Sequence, residues 1–412
     1  MGPFEALAVL LTLTAAFAYL NERWVRLPTP VGVMLGAMLT SLGLVLLGGP
    51  TVRAWAAPLL ARLEFSDLLL QGLLSFLLFA GALHVNLEDL LRRKWAILTL
   101  ATLSVLTSTF LVGTLIHAAL GWVGLELPYG YALLFGALIS PTDPIAVLGI
   151  LRKAGVPKPL EALITGESLF NDGVGIVVFR VLLGLALANG ASETSLAEAG
   201  LLFLEEAGGG ALLGLGIGLA AYAALRSVDR STVEVLITLA LVTGGYALAQ
   251  YLHTSGPIAM VVAGLLIGNH GRLFAMSART REHLDTFWEV TDEILNALLF
   301  VLIGLEVLIL PYDPAYLAAT LIAIPLVLLA RLLSVGIPLG LLRLVRPLAP
   351  YTVRLMTWGG LRGGISVALA LLVPPGPERD LILGMTYGVV VFSILVQGLT
   401  IGRVARYAAR TP

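Results

Sequence analysis

Apolar stretches with few charges recur along the whole chain, separated by short polar connections. In the first half they cover residues 5–20, 31–47, 68–83, 95–122, 129–151 and 160–187. In the second half they cover 201–225, 233–251, 257–268, 293–310, 315–341, 353–373 and 381–401. A helix needs about 20 apolar residues to cross some 30 Å of hydrocarbon, and in lipid its backbone groups must be satisfied internally. The thirteen stretches therefore predict an all-α polytopic membrane protein. The longest connection, 269–292, reads as a polar loop too short to fold as a soluble domain.

The basic residues give an independent check, because Lys and Arg accumulate in connections that stay in the cytoplasm. Here they fall almost wholly after odd-numbered stretches and in the carboxyl tail, with Arg53, Arg62 and Arg379 as exceptions and Arg180, Arg331 and Arg362 inside stretches. That alternation predicts an outside amino end and a cytoplasmic carboxyl end. The amino end has neither a basic leader nor a small-residue cleavage site, so the first stretch is expected to remain as a helix.

Composition narrows the function further. With 58% hydrophobic and 12% charged residues among 412, and a mean hydropathy of +0.95, a soluble globule is excluded. A net charge of −1 and the lack of any basic domain give no footing for nucleic acid. The absence of cysteine rules out disulfides and thiolate metal sites, and no pattern calls for a cofactor.

Against this background the polar residues inside the stretches stand out. The sixth contains Gly166-Glu167-Ser168-Leu169-Phe170-Asn171-Asp172-Gly173. A charge at the bilayer centre costs about 2.5 to 3.5 kcal/mol on insertion scales, so an acid there signals function. In the fifth stretch, Ser140-Pro141-Thr142-Asp143-Pro144 brackets an acid with two prolines, each lacking a backbone donor and opposing continuous helix. In the twelfth, Gly359-Gly360-Leu361-Arg362-Gly363-Gly364 sets an arginine among glycines of little helical preference. Five and twelve are seven apart. Inverted repeats over about 1–190 and 232–402, joined by a linking helix at 198–228, would put the two broken segments in corresponding positions at the midplane. A proline or glycine in a membrane helix by itself signals only a kink; the charge inside each interruption is what points to an ion.

On a helix, residues four apart nearly superpose, so Ser168 stacks with Asp172 and Glu167 with Asn171. Ser168 and Asp172 are assigned to the ion, with Asp143 and the backbone near Thr142 as partners from the fifth stretch. Oxygen donors of this kind suit a hard monovalent cation such as Na+ or Li+. Glu167 is expected to pair with Arg331, with Asn171 satisfying the remaining lone pairs. Arg362 is expected to neutralise the partial charges of its own interrupted helix. Asp143, Glu167 and Asp172 against Arg331 and Arg362 leave one negative charge, which either a metal ion or a proton can neutralise because burial disfavours the charged carboxylate.

With these residues in hand, the chain resembles the NhaP-type sodium/proton antiporters, relatives of the animal sodium/proton exchangers. The resemblance rests on the motifs at 166–173 and 140–144, on Arg362-Gly363-Gly364-Ile365-Ser366-Val367-Ala368-Leu369, and on Trp288-Glu289 with Asn296, Phe300 and Gly304-Leu305-Glu306. It implies a non-enzymatic antiporter of the prokaryotic cell membrane. A mobile ion-carrying core would work against a dimerisation domain in a homodimer surrounded by lipid. It also implies that Asp172 carries the ion, completed by Asp143, Thr142 and Ser168, and that Asn171 beside Asp172 marks electroneutral exchange of one cation for one proton. The chain departs from many relatives in carrying Ala80 where they place an acid. The same ligands would serve a potassium/proton or broadly selective antiporter. A cation channel is disfavoured by the absence of a repeated filter loop. An intramembrane protease is disfavoured by the absence of Gly-x-Gly-Asp and His-Glu-x-x-His. His84, at the end of the third stretch, reads as a solvated loop histidine.

Overall fold

In the computed structural model the described residues are 3–61, 72–143, 151, 156–187, 196–308, 310, 313–343 and 351–410. Pro144, Arg62, the start of the third stretch and the end of the fifth lie outside them, as does the junction at 188–195. Among the described residues every regular element is helical. Helix α1 spans Pro3–Leu20, α2 Thr29–Ala61, α3 Leu74–Leu83 and the short α4 Leu87–Arg92. Helix α5 is Lys94–Trp122, with a π-helical turn at Leu100–Ser104. It is followed by α6 Tyr129–Ile139, α7 Lys158–Leu187, α8 Leu196–Arg226 and α9 Ser231–Tyr251. Helix α10 is Gly256–Phe274, α11 Ala278–Leu305, α12 Pro314–Arg343, α13 Thr352–Trp358 and α14 Gly364–Leu371. The chain ends in α15, which starts as Pro377–Phe392 and continues through a π-helical turn into Gly398–Arg410.

Among the described residues eight helices are long and apolar enough to cross a membrane: α2, α5, α7, α8, α9, α10, α12 and the last. Helices α3 and α6 are apolar but short, α11 is rich in charge along its first half, and α13 and α14 are two pieces separated by 359–363. Apolar side chains facing outward on α1, α2, α8 and α12, among them Phe4, Leu47, Leu212 and Leu317, are what a lipid-facing surface requires.

One expectation fails clearly. Residues 269–292 are not a loop: α10 carries on to Phe274, and α11 starts at Ala278. Ser277 caps α11, its hydroxyl accepting from the Thr280 amide at 3.3 Å. The stretch looks polar in a hydropathy scan because it is amphipathic. Leu284 and Trp288 are fully buried, while Asp285, Glu289, Asp292 and Glu293 recur at helical spacing on another face. Trp288 packs its ring 4.8 Å from Phe79 of α3, and its Nε1 donates to the Thr238 hydroxyl of α9 at 3.1 Å. This anchor fixes which face of α11 turns toward the acids of the sixth stretch.

Close backbone approach is needed where α5 crosses α6. A Cβ on Gly136 would collide with the Thr109 carbonyl, so a glycine is required there.

Candidate cation site

Helix α6 stops at Ile139 because Pro141 removes the next backbone donor. The Ser140 hydroxyl donates to the Gly136 carbonyl at 2.6 Å and meets the Ser108 hydroxyl at 2.8 Å, satisfying the helix end. The chain then runs without regular structure through Asp143. Helix α13 likewise stops at Trp358, and the chain is not helical again until Gly364. The two non-helical segments touch: the Asp143 amide donates to the Leu361 carbonyl at 2.8 Å. From the other side, Arg362 donates through one terminal nitrogen to the carbonyls of Ser140 and Pro141, each at 3.0 Å.

Arg362 therefore serves the carbonyls ending α6 rather than its own interrupted helix. Exposed carbonyls at a helix C-terminus carry partial negative charge and attract a cation. Its own segment is satisfied differently, with the Arg362 amide donating to the Ser393 hydroxyl at 2.9 Å.

Helix α7 supplies the third wall. Thr142 and Ser168 bring their hydroxyls within 3.2 Å, and both are buried. Glu167 is gripped by Arg331 of α12 through two parallel bonds of 2.5 and 2.9 Å, with both side chains almost wholly inaccessible. The nitrogen that makes the longer of these bonds also donates to the Met356 carbonyl at 3.3 Å. Asn171 does not complete this pair as expected from its spacing. Its Nδ2 donates to the Thr142 hydroxyl at 2.9 Å, and its Oδ1 accepts from the Thr142 amide at 3.4 Å. Pro141 ends the helical hydrogen bonding of this backbone, and the Asn171 amide clasps it at Thr142. The spacing gave the face of α7 correctly but not the neighbour opposite it.

Asp172 and Asp143 line one cavity of about 750 Å³, together with Ser168 and Pro141. Asp143, then Glu167, are the neighbouring charges that act on Asp172. The cavity extends to the molecular end where α3 finishes at His84, α2 begins at Thr29 and α11 begins. Across that mouth Arg272 pairs with Asp285. Helix α3 contributes only apolar or small groups up to His84, Ala80 among them. Among the described residues no cluster of three or more Asp, Glu, His or Cys could hold a metal ion. The donors are thus mixed: two carboxylates, two hydroxyls and freed backbone, a set suited to a weakly held monovalent cation.

The sequence pattern of the family described as "Sodium/hydrogen exchanger, transmembrane" matches residues 10–407. The chain belongs to the sodium/hydrogen exchanger family. This member is 52% identical over 409 residues to the Na(+)/H(+) antiporter NhaP of Pseudomonas aeruginosa, covering 98% of this chain and 96% of that one. It is 37% identical to the Na(+)/H(+) antiporter NhaH of Halobacillus dabanensis, over 82% of each chain. Its fold is similar to that of the sodium proton antiporter MjNhaP1 from Methanocaldococcus jannaschii, with a TM-score of 0.78 at 20% identity over 98% and 97% of the two chains. The family and these relatives are transporters rather than enzymes.

In this exchanger-family chain the acidic row Asp285, Glu289, Asp292 and Glu293 also faces the cavity, with Asn296 beyond it. Hydropathy put most of that row in a loop. Its i, i+4, i+7, i+8 spacing beside buried Leu284 and Trp288 is the signal that could have found it.

Gly363 closes the site from the other side. A Cβ there would stand 2.5 Å from Oδ2 and 2.9 Å from Cβ of Asp143. Gly363→Ala is expected to displace the Asp143 carboxylate and cut ion exchange about ten- to a hundredfold, the loss typical of misplacing a reacting group by an ångström. Size-exclusion of the purified variant alongside flux in vesicles checks this, and wild-type flux would remove Asp143 from the site.

Proposed function

We propose that the protein is a secondary antiporter exchanging Na+ or Li+ for H+ across a prokaryotic cell membrane, with both ions competing for Asp172. The observation that carries this is the pairing pattern. Glu167 is neutralised by Arg331, whereas Asp172 and Asp143 face the cavity with Arg362 turned to the carbonyls next to Asp143. Within the set Asp143, Glu167, Asp172, Arg331 and Arg362 one negative charge is left, which one cation or one proton satisfies. Because neither can occupy Asp172 while the other does, movement of one gradient drives the other without a second coupling device. The antiporter names of relatives as similar as 52% support Na+ and H+ as the exchanged ions.

On this proposal thirteen segments cross the membrane, the amino end lies outside and the cavity opens to the cytoplasm. Inverted repeats would place the interruptions after α6 and between α13 and α14 across from each other. The carrying bundle would move against a scaffold that dimerises, giving alternating access. Asn171 beside Asp172 carries no charge, which favours a one-for-one, electroneutral exchange. Thr142 and Ser168 offer the remaining oxygens.

Proteoliposomes with an imposed proton gradient decide among ions. Addition of Na+ or Li+ should dissipate the gradient, K+ should do so weakly, and an imposed voltage should leave the rate unchanged. Lowering pH should raise the half-saturating Na+ concentration without lowering the maximal rate, as competition demands. K+ as effective as Na+ would make the chain a broadly selective exchanger, and a voltage-dependent rate would reject the one-for-one count.

A further inference from the structure

The cavity holds a second feature that the exchange chemistry at Asp172 does not use. Asn296 of α11 is 3% exposed and lies in the cavity wall. Its Nδ2 donates to the Asp292 carbonyl one turn earlier, at 2.8 Å. A carbonyl can face only a donor, so this bond fixes the amide orientation and leaves Oδ1 as the free end. That oxygen is buried and has no hydrogen-bond partner. Buried amide oxygens are rarely left without a donor or a cation.

The Asp292 carboxylate lies on the same face, four residues before Asn296, and also lines the cavity. Its charged neighbours are Asp143 and Glu293, and the Asn296 side chain hydrogen-bonds the same carboxylate. Among the described residues the basic side chains lining this cavity are His84 and Arg272, and Arg272 is held by Asp285 at the mouth. The facing wall from α3 supplies no charge up to His84. A carboxylate and an amide oxygen, completed by water, match a partly hydrated monovalent cation.

We propose that Asp292 and Asn296 form a staging site for the transported cation, occupied on the way between the cavity mouth and Asp172. The site presupposes the exchange proposed above. It holds an incoming Na+ through the Asp292 carboxylate and Asn296 Oδ1, and raises its local concentration before transfer to Asp143 and Asp172. In the orientation proposed above the cavity opens to one face of the membrane, so the site acts on cations arriving from that face.

The test measures Na+-dependent proton movement in everted and in right-side-out membrane vesicles carrying wild type, Asn296→Leu or Asp292→Asn. Both substitutions keep the branching and the number of heavy atoms in the side chain. Each is expected to raise the half-saturating Na+ concentration about three- to tenfold, the factor one lost oxygen ligand commands. The shift should appear only when Na+ is supplied at the cavity face, with the maximal rate kept. An equal shift from both faces would reduce the two residues to structural support and overturn the proposal, as would no shift from either. A wild type without Na+-dependent proton movement would instead overturn the exchange itself. Should Asn296→Leu fail to accumulate, Asp292→Asn alone carries the sided comparison, since it deletes charge without changing shape.

Discussion

Asp172→Asn is expected to abolish sodium-driven proton movement in vesicles while the protein still folds. Asparagine keeps the shape and one oxygen of the carboxylate, so packing against its neighbours in α7 is retained. What it loses is the ability to bind and release a proton and the charge that attracts a cation. Asp172 is 7% exposed and reaches the cavity beside Ser168, so the substitution removes a titratable group from the cavity wall itself. The measurement is proton flux on adding Na+, with size-exclusion and thermal unfolding as controls. Near-normal exchange would remove Asp172 as the carrier, and with it the competition that couples the two gradients.

Arg331→Ala is expected to act on stability instead. The guanidinium holds Glu167 through two bonds and Met356 through a third, and Glu167 is 1% exposed. Removing one partner of a buried ion pair leaves an uncompensated charge, at a cost of about 3 to 5 kcal/mol. Thermal unfolding in detergent should therefore fall markedly, whereas half-saturating Na+ in surviving protein should change little. The double variant Glu167→Gln with Arg331→Met should recover much of the loss, because no charge is then stranded. A variant that shifts only sodium affinity would show that Glu167 belongs to the ion site rather than to its frame.

The contrast between these outcomes follows from how similar the acids look in sequence. Glu167 and Asp172 lie five residues apart on one helix, and hydropathy treats them alike. Their spacing places them on neighbouring faces, and only the packing of α12 against this region gives one of them a counter-ion. Asn171 teaches the same lesson in reverse. Its face on α7 follows from the periodicity, but its partner, Thr142, sits on a non-helical segment whose path no periodicity describes. Arg362 was legible as a buried cation within an interrupted helix; that it reaches over to the end of α6 depends on the two interruptions lying against each other. The acids of α11 were legible least, because averaging over a window dilutes an amphipathic face into apparent loop.

By itself the sequence determined that this chain is helical and built for lipid, where α6 and α13 stop, and which charges sit where charge is costly. These are local properties: apolar length, proline and glycine backbone chemistry, and the desolvation of ionised groups. Tertiary structure alone decided which acid is neutralised, which carbonyls Arg362 satisfies, and that α11 turns its acidic face and Asn296 toward the cavity of Asp172. Those outcomes depend on contacts between residues far apart in the chain, as between Glu167 and Arg331. Helical periodicity fixes only the face a side chain occupies, and the neighbour that face meets is set by packing.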